Sequence, residues 1–260
     1  MLFLAFLLAA AALAGAQGDY KVVTVTDGGT ISGSENGQAP RRAFWTSRSP
    51  RIRQICDPDS RKTVDLERLI IGPQGGVANT VVYLKNISSG KALEAPEQRR
   101  RLEQRHSHYI PHILLVPENA ALQMQSSGAS LHTFHMEGAA TFNLPFPFPN
   151  QVISRTMSSP GLVHLRCNGG HAWMNAEMMV HPYYSVTDES GKLRFTDVPP
   201  GTYQIVAWHE GWTVLDKQKA FDVLTEREVQ RPVFTESKAW EKSVTVSGNQ
   251  TSVVNFALGK

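Results

Sequence analysis

Ser159-Pro160-Gly161-Leu162-Val163-His164-Leu165-Arg166-Cys167-Asn168-Gly169-Gly170-His171-Ala172-Trp173-Met174 is the stretch on which the reading of this chain turns. It reads as a strand ending on a cysteine, then a tight loop that returns a histidine and a methionine. Gly169-Gly170 favours such a loop, because glycine accepts positive φ at little steric cost. Cys167, His171 and Met174 fall within eight residues. A second feature, Leu131-His132-Thr133-Phe134-His135, lies upstream. One thiolate, one thioether and two candidate imidazoles are thereby at hand. One short loop cannot surround an ion, so a further imidazole must come from elsewhere in the chain.

Two imidazoles and a thiolate in a plane, with a weak axial thioether, are the ligands of a mononuclear blue-copper site. Soft sulfur beside imidazole selects copper over hard cations. Zinc also accepts cysteine and histidine. Each residue alone has a plainer reading: a lone cysteine in a β-protein is usually a small buried hydrophobe. The ordered set favours the metal. Strand periodicity puts His132 and Phe134 on one face and His135 on the other, so His132 and His135 share a site only if that strand is irregular. Met178 and Met179, further along, are alternatives to Met174 and read more readily as core.

These residues resemble the cupredoxins, and among them the amicyanin and plastocyanin type. The resemblance covers roughly residues 109–181. Pro111-His112-Ile113-Leu114-Leu115-Val116-Pro117-Glu118-Asn119-Ala120-Ala121-Leu122-Gln123-Met124 is similar to the family's strand, turn and strand before the first ligand. His132-Thr133-Phe134-His135 is similar to its His-Asn-Val-His segment, and Ser159 to Cys167 to its approach strand. The resemblance implies a Greek-key β-sandwich that carries single electrons on one copper held by His132, Cys167, His171 and Met174. There are two departures. Thr133 stands where the family has an asparagine that helps fix the ligand loop. The gap between Cys167 and His171 holds three residues, against two in amicyanin and plastocyanin and four in azurin.

A second pattern flanks the first. Thr30-Ile31-Ser32-Gly33, Val77 to Leu84, Thr187 to Phe195, and Pro199-Pro200-Gly201-Thr202-Tyr203 are β-branched runs punctuated by turn residues. Asp188 to Gly191 and Pro200-Gly201 read as hairpin turns. These pieces resemble the carboxypeptidase regulatory-like domain, a transthyretin-like sandwich grouped with carbohydrate-binding-like folds. The expected fold is therefore all-β, with two sandwiches. One is discontinuous, from residues 20–90 and 183–260, and the cupredoxin-like domain of residues 108–182 is inserted in it. In the alternative, residues 75–90 supply the cupredoxin's first strands. Residues 91–107, with Arg99-Arg100-Arg101 and Arg105 among glutamates and glutamines, have the composition of a charged linker helix.

Residues 1–16 are almost wholly apolar and end in Ala14-Gly15-Ala16, the pattern of a secretory signal peptide, although no Lys or Arg precedes the apolar run. The expectation is an exported, periplasmic or secreted protein without an integral span after cleavage. An exported chain with only Cys56 and Cys167 offers one disulfide, which would compete with Cys167 as a ligand. Net charge is +3, and no basic stripe with interleaved aromatics argues for nucleic acid. The arginine cluster could instead dock an acidic redox partner. No HExxH, GxSxG or phosphate-loop motif is present, so no enzyme is expected. The competing readings are copper storage or delivery, and a non-redox module that binds glycan or a cell-surface protein. Trp208, Trp212 and Trp240 are the candidate glycan platform.

Overall fold

The computed structural model describes residues 20–37, 42–45, 64–94, 100–105, 108–128, 131–168, 173–179, 181–222 and 227–259. Described residues form β-strands and no α-helix. The chain begins with β1 (Lys21–Val22), β2 (Gly29–Gly37), β3 (Arg42–Trp45), β4 (Val64–Ile70), β5 (Val81–Lys85) and β6 (Ser89–Gly90). It continues with β7 (Arg101–Arg105), β8 (His108–Ile110), β9 (Ile113–Pro117), β10 (Ala120–Ser126), β11 (His132–Gly138), β12 (Phe142–Phe146), β13 (Gln151–Met157), β14 (Gly161–Arg166) and β15 (Trp173–Met179). Last come β16 (Tyr184–Val186), β17 (Lys192–Val198), β18 (Gly201–His209), β19 (Val214–Asp222), β20 (Arg227–Phe234), β21 (Lys238–Val246), β22 (Thr251–Val253) and β23 (Phe256–Leu258).

A four-stranded sheet, β13-β10-β7-β8, and a five-stranded sheet, β12-β11-β14-β15-β9, share one core. Leu102, Leu122 and Met124 from the first sheet meet Phe134, Phe146 and Leu165 from the second. The alternation in β11 shows why: His132, Phe134 and Met136 are buried, while Thr133 and His135 lie on the half-buried opposite face. The reading of residues 91–107 as a linker helix is corrected here. Arg101–Arg105 is strand β7, with Leu102 and Gln104 buried and the two arginines exposed. That period of two, and parallel pairing with β10, override the helical composition.

The second sandwich pairs the sheet β16-β5-β18-β21 with β17-β2-β22, where β23 also joins β2. Ile31, Leu84, Phe195, Ile205, Val244 and Phe256 lie in its core. The expected turns form, but they are not hairpins. Gly191 N donates to Asp188 O at 2.8 Å, closing the turn. Yet β16 joins β5, and β17 joins β2 in the facing sheet. Pro200-Gly201 likewise leads from β17 across to β18, which pairs with β5 and β21. Turn residues reverse the chain locally, whereas strand partners follow from which faces must be buried. The Val77 run is shorter than its composition suggests: Asn79 takes φ 64° and β5 starts at Val81.

The sandwiches touch through a third apolar cluster. Val81 and Trp208 of the second meet Ile113 of the first, with Tyr83, Leu115, Leu162 and Tyr184 around them. This contact buries the outer face of β18, so its last five residues are buried on both sides of the sheet. Trp208 is 8% exposed, and Trp212 and Trp240 pack against the smaller core of Leu69, Val77 and Leu258. The three tryptophans therefore make no exposed platform. No described helix is long and apolar enough to cross a membrane.

Candidate functional site

β11 and β14 are antiparallel neighbours, with His135 opposite Arg166. This register brings the start of β11 to the end of β14, where Cys167 stands. His132 is 2% exposed and Cys167 1%. His132 Nδ1 lies 3.9 Å from Cys167 Sγ. Nitrogen and sulfur ligands at about 2.0 and 2.3 Å from one ion, about 120° apart, are separated by about 3.7 Å. The observed spacing fits two donors sharing a trigonal metal plane. Cys167 is a buried thiol. Cys56, its candidate disulfide partner, lies outside the described residues.

Thr133 fixes the chain as it leaves β14. Its Oγ1 accepts the Asn168 N–H at 2.7 Å and lies 3.8 Å from Cys167 Sγ, toward which the hydroxyl can donate. The Tyr109 hydroxyl donates to the Thr133 carbonyl at 2.5 Å, tying β11 to the opposite sheet. Burial, and then the neighbouring Cys167, push the Tyr109 phenol well above its ordinary range, so it stays a neutral donor. Tyr109 carries no sequence signal for this role, because it stands far from both His132 and Cys167 along the chain. Gly128 backs onto the imidazole: a Cβ there would lie 2.6 Å from His132 Nε2.

His135 is engaged elsewhere. Its Nε2 lies 2.9 Å from Glu137 Oε1, which also accepts from Arg166 Nη2 at 2.7 Å, on the sheet face opposite His132. His164 is exposed on β14. His181 is fully buried against Tyr184, with ring centroids 4.7 Å apart, and its Nδ1 accepts the Tyr183 N–H at 3.3 Å. Burial holds the His181 imidazole down at about 4, hence neutral. His171 lies outside the described residues. Met174 stands on β15 opposite Leu165, so it belongs to the returning strand and not to the loop. Met179 is 7% exposed. Among the described residues no group of three or more His, Cys, Asp or Glu could hold a metal ion. His132 and Cys167 are thus the pair of expected ligands whose side chains the structure brings together.

The family of the second beta sandwich domain of NOMO1-like BOS complex subunits matches residues 176–234. No curated protein matches the chain. Among solved structures, a copper-containing nitrite reductase from Thermus scotoductus SA-01 is similar at 15% identity and a TM-score of 0.30. It is matched over 34% of this chain, which spans 24% of that enzyme's length. A purple cupredoxin from Nitrosopumilus maritimus aligns at 14% identity and a TM-score of 0.25, over 28% of this chain and 82% of its own. The oxidised P96G mutant of amicyanin aligns at 16% identity and a TM-score of 0.29, over 35% and 92%.

Proposed function

We propose that the chain is an exported, non-enzymatic copper protein that carries single electrons. His132, Cys167, His171 and Met174 would be the ligands. The observation that carries this reading is the buried His132–Cys167 pair at 3.9 Å, at the end of two neighbouring strands. Copper, when bound, would supply a one-electron couple. The chain's own part is to hold the donors still. Tyr109 and Thr133 fix the strand end, Gly128 leaves room for the imidazole, and the apolar core keeps water from Cys167. A metal analysis of copper-reconstituted protein tests it: about one copper per chain is expected. His132→Ala should weaken binding far more than His135→Ala. Equal losses, or the reverse order, would remove His132 from the ligand set.

One observation favours a second reading, in which the transthyretin-like part binds another protein. Among the described residues β19 and β20 form a two-stranded sheet of their own, and β19 exposes Leu215 at 66% and Phe221 at 59%. Reversible oxidation and reduction of bound copper would favour the electron carrier over both this role and copper storage.

A further inference from the structure

One buried ion group crosses from the first sandwich to the second. His112 lies between β8 and β9, Arg68 lies on β4, and Glu210 directly follows β18. Arg68 Nη1 lies 2.8 Å from Glu210 Oε2, with the two side chains 14% and 4% exposed. The other carboxylate oxygen, Oε1, bonds His112 Nε2, whose side chain is 5% exposed. An ionised carboxylate only accepts, so Nε2 carries the proton. Arg68 is anchored beside Glu210, donating to Gly211 O at 2.9 Å and lying 3.8 Å over the Phe234 ring.

The surrounding charges are few. Glu67 Oε2 is 3.9 Å from Nδ1 of both His108 and His112. The His209 ring turns to the backbone of the next residue, with Nδ1 2.8 Å from Glu210 O, and burial keeps it below the usual imidazole range. Burial pushes the Glu210 carboxyl up, but His112, Arg68 and His209 outweigh it and leave it below the ordinary carboxylate range. Beside this group lies the apolar contact of Val81, Trp208 and Ile113. If the sandwiches part, Arg68 stays with Glu210, and Glu210 loses its bond to His112. Taking away one partner of a buried pair strands the other without compensation, so the contact is strong only when both sandwiches are seated.

We propose that His112 and Glu210 form a latch that seats the first sandwich on the second and makes the chain unfold as one unit. The latch is independent of any metal. Hydrogen exchange read by mass spectrometry on the full chain tests it, with His112→Gln, Glu210→Gln and the double variant. In each single variant, exchange in β10 and β14 should rise at least about tenfold relative to β18 and β21. The double variant should be no faster than the faster single one. Effects that multiply in the double variant, or no change in β10 and β14, would overturn the latch. Should the variants not fold, calorimetry of the unaltered chain decides. A single transition with equal calorimetric and van't Hoff enthalpies is expected, and two independent transitions would refute the proposal.

Discussion

Thr133 answers two needs with one hydroxyl: it accepts the Asn168 N–H and faces the Cys167 sulfur. Thr133→Val keeps the shape and removes both contacts. In apoprotein it should cost about 1 kcal/mol, the value of a hydrogen bond with its donor left wanting. In copper-loaded protein it should lower the reduction potential, because a hydrogen bond to the thiolate draws charge from the sulfur and favours the reduced metal. Thr133→Ser should restore both. Denaturant titration and voltammetry measure these, and an unchanged potential would detach Thr133 from the sulfur. Met174→Leu should keep copper bound and raise the potential, since the oxidised ion loses a weak axial donor. A shift seen instead with Met178→Leu or Met179→Leu would move the axial position along β15.

Two buried groups outside the candidate site set opposing pH slopes. His181 has an ordinary value of 6.5 and about 4 in the folded protein. The unfolded chain binds the extra proton between those values, so this contribution is lost as pH falls from 6.5 to 4. Glu35 is fully buried, and among the described residues neither carboxyl oxygen has a partner of ordinary hydrogen-bond geometry. Burial raises it from 4.5 to about 7, and the nearby Thr80 hydroxyl offsets only part of this. Here the native state holds the proton, so the contribution is full below 4.5 and lost as pH rises through 7. Urea midpoints should therefore rise with pH more steeply in Glu35→Gln than in His181→Gln between 4.5 and 6.5, where the buried His209, also held below the usual imidazole range, adds a rising slope to both. Glu35 and His181 should each contribute roughly 1–3 kcal/mol to that difference. Parallel slopes in the two variants would contradict these environments.

Among the elements, legibility followed the range of the interaction. The strand, turn and strand from Pro111 to Met124 were readable, because Asn119 takes φ 62° between β9 and β10 and apolar runs flank it. The shared face of His132 and Phe134 was readable for the same local reason. The partners of β16 and β17 were not, since Asp188 to Gly191 encodes a reversal and nothing about which sheet receives the next strand. Strand β7 was hidden because its arginines flank only two buried side chains, Leu102 and Gln104. Close strand contacts also rest on single glycines. A Cβ on Gly33 would lie 1.6 Å from the Val254 carbonyl oxygen, at the point where β2 receives the chain between β22 and β23. Gly33→Ala should destabilise the fold by about 1–3 kcal/mol or more, as overpacking against backbone does. A thermal midpoint equal to that of the unaltered chain would refute that contact.

For the molecule as a whole, the contact between the sandwiches had no local signature. Trp208 was read as part of a candidate glycan platform, and His112 only as one residue of the strand, turn and strand from Pro111 to Met124. Both acquire meaning only from a surface more than 90 residues away in the chain, as the separation of His112 and Glu210 shows. The candidate metal site was legible as far as the pair His132 and Cys167, which stand at the adjoining ends of the neighbouring strands β11 and β14. Its central claim is that Cys167 and His132 share one copper. X-ray absorption at the copper edge of the reconstituted full chain measures this most directly. One short sulfur scatterer at about 2.3 Å and two nitrogens at about 2.0 Å are expected, with the sulfur lost in Cys167→Ser and retained in Cys56→Ser. A copper shell of nitrogen and oxygen alone, or a short sulfur that survives Cys167→Ser, would contradict it.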